Sequence, residues 1–431
     1  MAANTSERIG WAMYDFANSS YTTVIVTVYY AVVFPKVIVG DAPEYRLGNA
    51  LWSVTLSLSY ALVVLTLPVL GAAMDQLGGK RKWFLLASTV LTVAATAGLG
   101  FVGPGQVGLA MVLVVLGNYG FSLGESFVAS FLPGLGPPEL LGKISGFAWG
   151  LGYVGGLGSA AVVLFGLGPP ALDNPAARWA GPVTALWFAV ASIPTFALLV
   201  DRSQPAPVAR NPVVSGFSQL VDTLRHAGKF RDLMVFLVGH TFSMAGLSIV
   251  ISFAFIYGDQ VIRWTPATQS AMFVTTQLTA TVGALGFGWL QGRFGDKPTY
   301  LSTLVLWCLA VVLIRFTPEL GAAARAAGSS WTDSQWFLGV GALAGLCIGS
   351  TQSAARTLVA LLSPADRVGE FFGLWGMFGK AAAILGLMAL AGLQALVGLQ
   401  SAILLTGGFF FLGLVVTGFV DVARGQRAAA G

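Results

Sequence analysis

Polar side chains recur at helical spacing inside stretches of this chain that are otherwise apolar. Asp15, Asn18, Ser19 and Thr22 fall at i, i+3, i+4 and i+7, so one helix face would carry all four. Asn118, Ser122, Glu125 and Ser126 form a second stripe, and Gln352 and Arg356 stand one turn apart in a third. At an offset of 227, Glu125 matches Gln352 and Ser126 matches Ser353, which makes these two stripes candidates for a symmetric pair. His240 and Lys380 stand singly in apolar surroundings. A carboxylate at the centre of a bilayer costs on the order of 3 kcal/mol on insertion scales. Stripes of this kind therefore imply helices that line a wet cavity. A carboxylate that is dehydrated in one state and faces a guanidinium in another binds and releases a proton. Asp15 and Glu125 are candidates for that coupling, and Asn18, Tyr21, His240, Gln352, Arg356 and Lys380 for contact with a small polar solute. Each has a structural alternative. Asp15 can cap a helix start, Glu125 can pair with Arg356 or Lys143, His240 can be a satisfied core residue, and Tyr21 can be packing. Arg356 and Lys380 can be held in structural ion pairs.

Other chemistries find no support. There is no Gly-x-x-x-x-Gly-Lys-Ser/Thr loop for nucleotide phosphates, and GLWGMFGKAA has the wrong spacing. His-Glu-x-x-His, Gly-x-Ser-x-Gly and Cys-x-x-Cys are absent. With two histidines, and with Cys308 and Cys347 both in apolar stretches, a metal site or disulfide is not expected. The expectation is a chain that is no enzyme and takes no cofactor.

The elements that position these residues must be membrane helices. Of 431 residues, 56% are hydrophobic and only 10% charged, where soluble domains carry about 25%. A span needs roughly 20 apolar residues. Twelve such segments are found, at 10–39, 50–75, 82–103, 106–132, 143–167, 180–200, 230–258, 268–292, 299–317, 335–362, 367–393 and 399–422. The alternating ten-residue strands of a membrane barrel are missing. No cleavable leader is evident, so the first span is expected to be retained. Basic residues crowd the loops on one side, among them Lys80, Arg81, Lys82, Arg202, Arg225 and Lys229. The other side holds only Lys36, Arg46, Arg178, Arg263, Arg315 and Arg325. The positive-inside rule then places both termini in the cytoplasm, and the net charge of +5 needs no nucleic-acid partner. A monomer in a bacterial inner membrane is the expectation.

The longest polar interruption divides the chain into a six-helix bundle at 1–200, a cytoplasmic linker at 201–229 and a second bundle at 230–431. The linker begins Pro-rich. It then places Phe217, Leu220, Val221 and Leu224 opposite Gln219, Asp222 and Arg225, the pattern of an amphipathic helix on a membrane face, with a loosely ordered linker as the alternative. The halves repeat: GAAMDQLGGKRK from Gly71 aligns with GWLQGRFGDKPT from Gly288 at an offset of 217. Gly71, Gly78 and Lys80 match Gly288, Gly295 and Lys297, while Gly292 stands where Asp75 does. Six-plus-six repeats resemble the all-α major facilitator fold. The run Gly71, Asp75, Gly78, Lys80, Arg81 is similar to that superfamily's short loop motif, whose carboxylate can cap a neighbouring helix N-terminus at an inner gate.

Three stretches resemble one branch of that superfamily, the vacuole-effluxer-like, autophagy-related family. They are YDFANSSY (Tyr14 to Tyr21), SFLPGLGPPELLGKISGFAWGLGYVGG (Ser130 to Gly156) and QSAARTLVALLSPADRVGEFFGLWGMFGK (Gln352 to Lys380). The resemblance covers essentially the whole chain. It implies a secondary transporter working by alternating access, its first, fourth, seventh and tenth spans lining a central cavity. Export of amino acids or small metabolites is the direction it points to; the proton as coupling ion is the expectation that Asp15 and Glu125 carry. Two other readings stay open: a lipid transporter whose Arg356 and Lys380 hold an anionic headgroup, and a non-transporting membrane sensor.

Overall fold

The computed structural model describes residues 3–40, 46–77, 79–170, 174–202, 212–225 and 227–430. Among these the chain is helical, with no strand. Twelve long helices run in order. The first six are α1 Thr5–Val39, α2 Arg46–Gln76, α3 Arg81–Phe101, α4 Val107–Ala129, α5 Pro138–Leu167 and α6 Pro175–Leu198. The rest are α7 Arg231–Ile262, α8 Pro266–Phe294, α9 Asp296–Ala326, α10 Asp333–Leu362, α11 Val368–Val397 and α12 Leu399–Gly418. A linker helix, Pro212–Arg225, precedes α7, and a short helix, Val422–Ala430, follows α12. Gly78 and residues 203–211 lie outside the described residues.

Eleven of the described helices are long and apolar enough to cross a bilayer, where twelve were expected. The difference is α8, which has the length but carries a run of Thr, Ser and Gln from Thr268 to Thr281. Its hydroxyls fold back onto the helix itself: Thr276, Thr279 and Thr281 donate to the carbonyls of Met272, Thr275 and Gln277 at 2.9–3.0 Å. That return bond satisfies each hydroxyl within its own helix.

Helix ends also differ from expectation. α1 starts at Thr5, where Asn4 accepts the Glu7 amide at 2.8 Å, a side-chain N-cap. α9 was expected to stop at 317, before Pro318, and instead continues to Ala326, with Arg315 and Glu319 paired at 2.8 Å across the turn. Gly79 and Gly295 both take positive φ (76° and 90°) at the two turns that the repeat aligned, a conformation an L side chain rarely adopts.

Packing divides the chain into two compact units that cut across its halves. One comprises Met1–Pro137, Leu151–Arg225 and Ala365–Met377; the other comprises Pro138–Gly150, His226–Pro364 and Phe378–Gly431. The helices α5 and α11 thus each give one half to each unit. In the first unit, α1 packs on α6, α3 on α4, and α2 on α4 and the linker helix. In the second, α7 packs on α12, α9 on α10 and α12, and α8 on α10.

The α8–α10 contact has a simple sequence cause. Gly341, Gly345 and Gly349 recur every four residues, so the α10 backbone approaches α8 closely. A Cβ at Gly349 would lie 2.0 Å from the Ala280 carbonyl oxygen. The four-residue spacing of this stripe is plain in the sequence.

Candidate functional site

In the first unit, Tyr14 and Tyr21 are seven residues apart on α1, and Gly124 and Gly117 are seven apart on α4. Each tyrosine lies against one of these glycines, where a Cβ would collide with the phenol oxygen. The Tyr14 hydroxyl pairs with Thr89 at 3.1 Å, and the Tyr21 hydroxyl donates to the Val114 carbonyl at 3.3 Å. Trp11 adds a 2.7 Å bond to the Val128 carbonyl, and the Tyr21 ring stacks on Phe121 at 5.4 Å. Tyr21, a candidate for solute contact, is therefore committed to holding α1 against α4.

That registration sets the polar stripes. Asp15 follows Tyr14 on α1, as Asn118 and Glu125 follow Gly117 and Gly124 on α4. Asp15 and Glu125 are both half-buried. The carboxylate of Asp15 sits ten residues inside α1, about 15 Å from its start, so the end cap belongs to Asn4. Asn118 donates to Ser59 of α2, whereas the Oδ1 of Asn18 and the Oγ of Ser122, both buried, make no hydrogen bond. Buried polar atoms left without a partner are rare and call for a reason. Just past the stripe, α1 widens into π-helix over Tyr21–Val28, and Thr27 donates back to the Thr22 carbonyl. Such wide turns cluster at functional sites.

Asp75 lies at the loop-motif end of α2, with its side chain 2% exposed. It accepts from Arg81 at 2.8 Å and from the backbone amides of Gly369 and Glu370 at 2.9 and 2.8 Å. The carboxylate thus caps the first turn of α11, where the helix dipole favours negative charge. Gly71 meets the Gly369 carbonyl, which brings the two backbones close enough for this. Lys80 is exposed. The lysine that does bind is Lys82, donating to the Leu199 carbonyl past the end of α6 at 2.8 Å. In the second unit Lys297 does the same for the end of α12, at 2.7 and 2.6 Å from the Gly418 and Val420 carbonyls. At Gly292 a Cβ would meet the Glu139 carbonyl of α5. The repeat therefore keeps the helix crossing where its second copy lacks the carboxylate.

The second-unit candidates have different neighbours. Arg356 is buried; its Nε donates to the Ser145 hydroxyl at 3.1 Å and its Nη2 to the Ser145 carbonyl at 3.0 Å. The Trp149 ring lies 5.4 Å from the guanidinium, in cation–π range. Ser145 also donates to the Ser353 carbonyl at 2.9 Å, so the second and third signature stretches meet here. His240 is buried in an aromatic layer, stacked on Phe236, which in turn packs on Tyr300. Gln352 is half-buried with its amide 3.4 Å from the Ile348 carbonyl, and Lys380 is half-buried on α11. Arg356 and Glu125, weighed as a pair from sequence, belong to different units.

One symmetric feature was invisible in the sequence alignment. Glu7, near the start of α1, takes both guanidinium nitrogens of Arg202 and the Val200 amide just past α6. Asp232, near the start of α7, takes Arg424 at 2.7 Å through two nitrogens and the Asp421 amide at 2.8 Å, just past α12. Each six-helix half of the chain thus pins its first helix to its sixth with a bidentate carboxylate–arginine pair. The bond from its carboxylate raises each arginine above its ordinary pKa and keeps it charged. Arg202→Ala and Arg424→Ala are each expected to lower the apparent melting temperature by a few degrees in differential scanning fluorimetry. Equal effects would match equal roles; a change with only one variant would break the symmetry.

Comparison with known proteins places this architecture. The family described as vacuole effluxer Atg22-like matches residues 3–430. The MFS-type transporter YxiO of Bacillus subtilis is 26% identical over 438 aligned residues, covering 98% of each chain. Among solved structures, the human organic anion transporter MFSD10 superposes with a TM-score of 0.71 at 15% identity, covering 96% of this chain and all of its own. The proton:xylose symporter XylE superposes with a TM-score of 0.69 at 14% identity, covering 96% and 95%. At such identities the likeness of structure establishes the major facilitator fold and nothing finer. With the family match running over nearly its whole length, the chain belongs to the vacuole effluxer Atg22-like family of major facilitator transporters.

Proposed function

We propose that this protein is a secondary active transporter that moves a small polar metabolite, with amino acids as the first class to test, by proton-coupled alternating access. The observation that carries the reading is the α1–α4 stripe. Asp15 and Glu125 lie half-buried in an apolar bundle beside two buried polar atoms, Asn18 Oδ1 and Ser122 Oγ, that make no hydrogen bond. A solute with donor groups would satisfy those acceptors, and a carboxylate beside it would carry the proton. In this reading Asp15, Asn18 and Glu125 touch solute or proton, and Tyr21 is a positioning residue. Gln352, Arg356, His240 and Lys380 supply the second half of the cycle, and Arg356 is the group suited to a carboxylate. Proton symport in the structural neighbour XylE supports the coupling as chemistry this fold performs. The Arg81–Asp75 pair and its hold on α11 act as the gate, in a plasma membrane with both termini cytoplasmic.

The test is proteoliposome transport with a trapped pH dye and pooled amino acids and small metabolites outside. A solute-dependent proton flux is expected, reduced at least about tenfold by Glu125→Gln or by Asp15→Asn, the scale on which one lost proton group acts. Flux that survives in both variants sinks the coupling. Silence across the pool with folded protein turns the assignment to lipids.

A further inference from the structure

The third signature stretch contains a residue that transport as described leaves unused. Glu370 is fully buried on the first turn of α11. While its amide serves Asp75, its carboxylate Oε2 accepts from the Gln219 amide of the linker helix at 2.7 Å. Gln219 in turn is bonded to Gln76 at the end of α2. One turn further along the linker helix, the buried Thr223 hydroxyl receives Arg367 at 2.9 Å, and Asp222 lies 3.5 Å from the same guanidinium. One turn earlier, Gly216 sits against the α2 backbone, where a Cβ would be 2.8 Å from the Ala73 nitrogen and 3.0 Å from the Val69 oxygen.

An amphipathic helix on a protein normally docks by its apolar face. This one docks by Gly216, Gln219 and Thr223, spaced i, i+3 and i+7, and turns Val214 and Phe217 outward, 63% and 57% exposed. The outward edge continues another surface. Exposed Leu58, Leu62 and Leu65 run along α2 at the spacing of one face and end one turn before Val69, which Gly216 meets. In a spanning helix such a stripe faces lipid.

We propose that the linker helix is a bilayer-anchored latch on α11. Its Val214–Phe217 edge rests in the membrane interface, and its polar edge, through Gln219, holds Glu370 and with it the α11 first turn that Asp75 caps. The partner is the lipid surface, and the residue it controls through the helix is Glu370. Because α11 gives one half to each packing unit, a hold on its first turn is a hold on an element common to both. The latch stands whatever solute is carried.

Hydrogen exchange on the full chain in phosphatidylcholine nanodiscs tests it without a transport assay. Gln219→Ala is expected to speed exchange of the Gly369 and Glu370 amides about tenfold, the scale of one hydrogen bond lost from the network. Glu370→Gln retains an acceptor for Gln219 and should exchange as the wild type does. Phe217→Ser, which leaves every polar bond intact, should loosen the same amides. Unchanged exchange there in both Gln219→Ala and Phe217→Ser overturns the latch. A nitroxide on Phe217→Cys, in a Cys308→Ser, Cys347→Ser background, should be relaxed mainly by oxygen, and one on Ser218→Cys mainly by an aqueous nickel chelate. Nickel-dominated relaxation at 217, or protection there that grows with protein concentration as for a second copy, overturns the bilayer as partner.

Discussion

Asp75→Ala is expected to be among the most damaging single changes in the protein. It strands Arg81, a buried residue 9% exposed, and removes the carboxylate that accepts from two amides of the α11 first turn. Removing one partner of a buried ion pair costs about 3–5 kcal/mol, because the remaining charge stays desolvated. Arg81 has only a long contact, 3.4 Å to the Ser130 carbonyl, to fall back on. Asp75→Asn keeps one acceptor oxygen and should lose less. The expected order of apparent melting temperature is wild type, Asp75→Asn, Asp75→Ala, with transport following the same order. An Asp75→Ala protein as stable as the wild type would show that the cap contributes nothing.

Gly349→Leu should be comparably severe for a different reason. Its Cβ would meet the Ala280 carbonyl oxygen at 2.0 Å, and that oxygen belongs to the α8 backbone and cannot swing aside. Forcing extra carbon into a packed interface costs typically about 1–3 kcal/mol when neighbours relax, and more where backbone must move. Loss of folded protein in fluorescence-detected size exclusion is the expected result. The control is on the same helix: at Gly339 a Cβ meets nothing within 4 Å, so Gly339→Leu should leave yield and melting temperature nearly unchanged. Equal loss in both variants would mean that leucine in α10 is harmful wherever it stands, and that the close crossing is not the cause.

Much of the architecture was legible because a bilayer is an unforgiving solvent. Outside a closed barrel, a segment that crosses it must be apolar for some twenty residues and helical, so composition and run length announce the spans. The same logic announced α8 too, although threonines lower the apolarity there, and those hydroxyls are satisfied within the helix. At α9 the expected span ended at 317, while the helix continues through Pro318 to Ala326. The polar stripes on α1, α4 and α10 were visible for the same reason, since a lone Asp15 or Arg356 stands out against an apolar run.

The sequence by itself determined the spanning helices, the six-plus-six repeat with its two glycine turns, and the family through its three signature stretches. Partnership was decided only by tertiary structure. Arg356 stands out in its apolar run, but that Ser145 of α5 would meet its Nε and Nη2 could not be read there. Lys80 holds the aligned position, but Lys82 reaches the helix end. Glu7 and Asp232 find Arg202 and Arg424 across nearly two hundred residues each. The linker helix sets Gly216, Gln219 and Thr223 against the protein and leaves Val214 and Phe217 exposed. The physical reason is common to all of these. Periodicity reports which face of a helix a side chain occupies, because that depends on local geometry alone. Which atoms lie opposite depends on how helices distant in sequence cross, and that is set by backbone approach at positions such as Gly71, Gly117, Gly124 and Gly349.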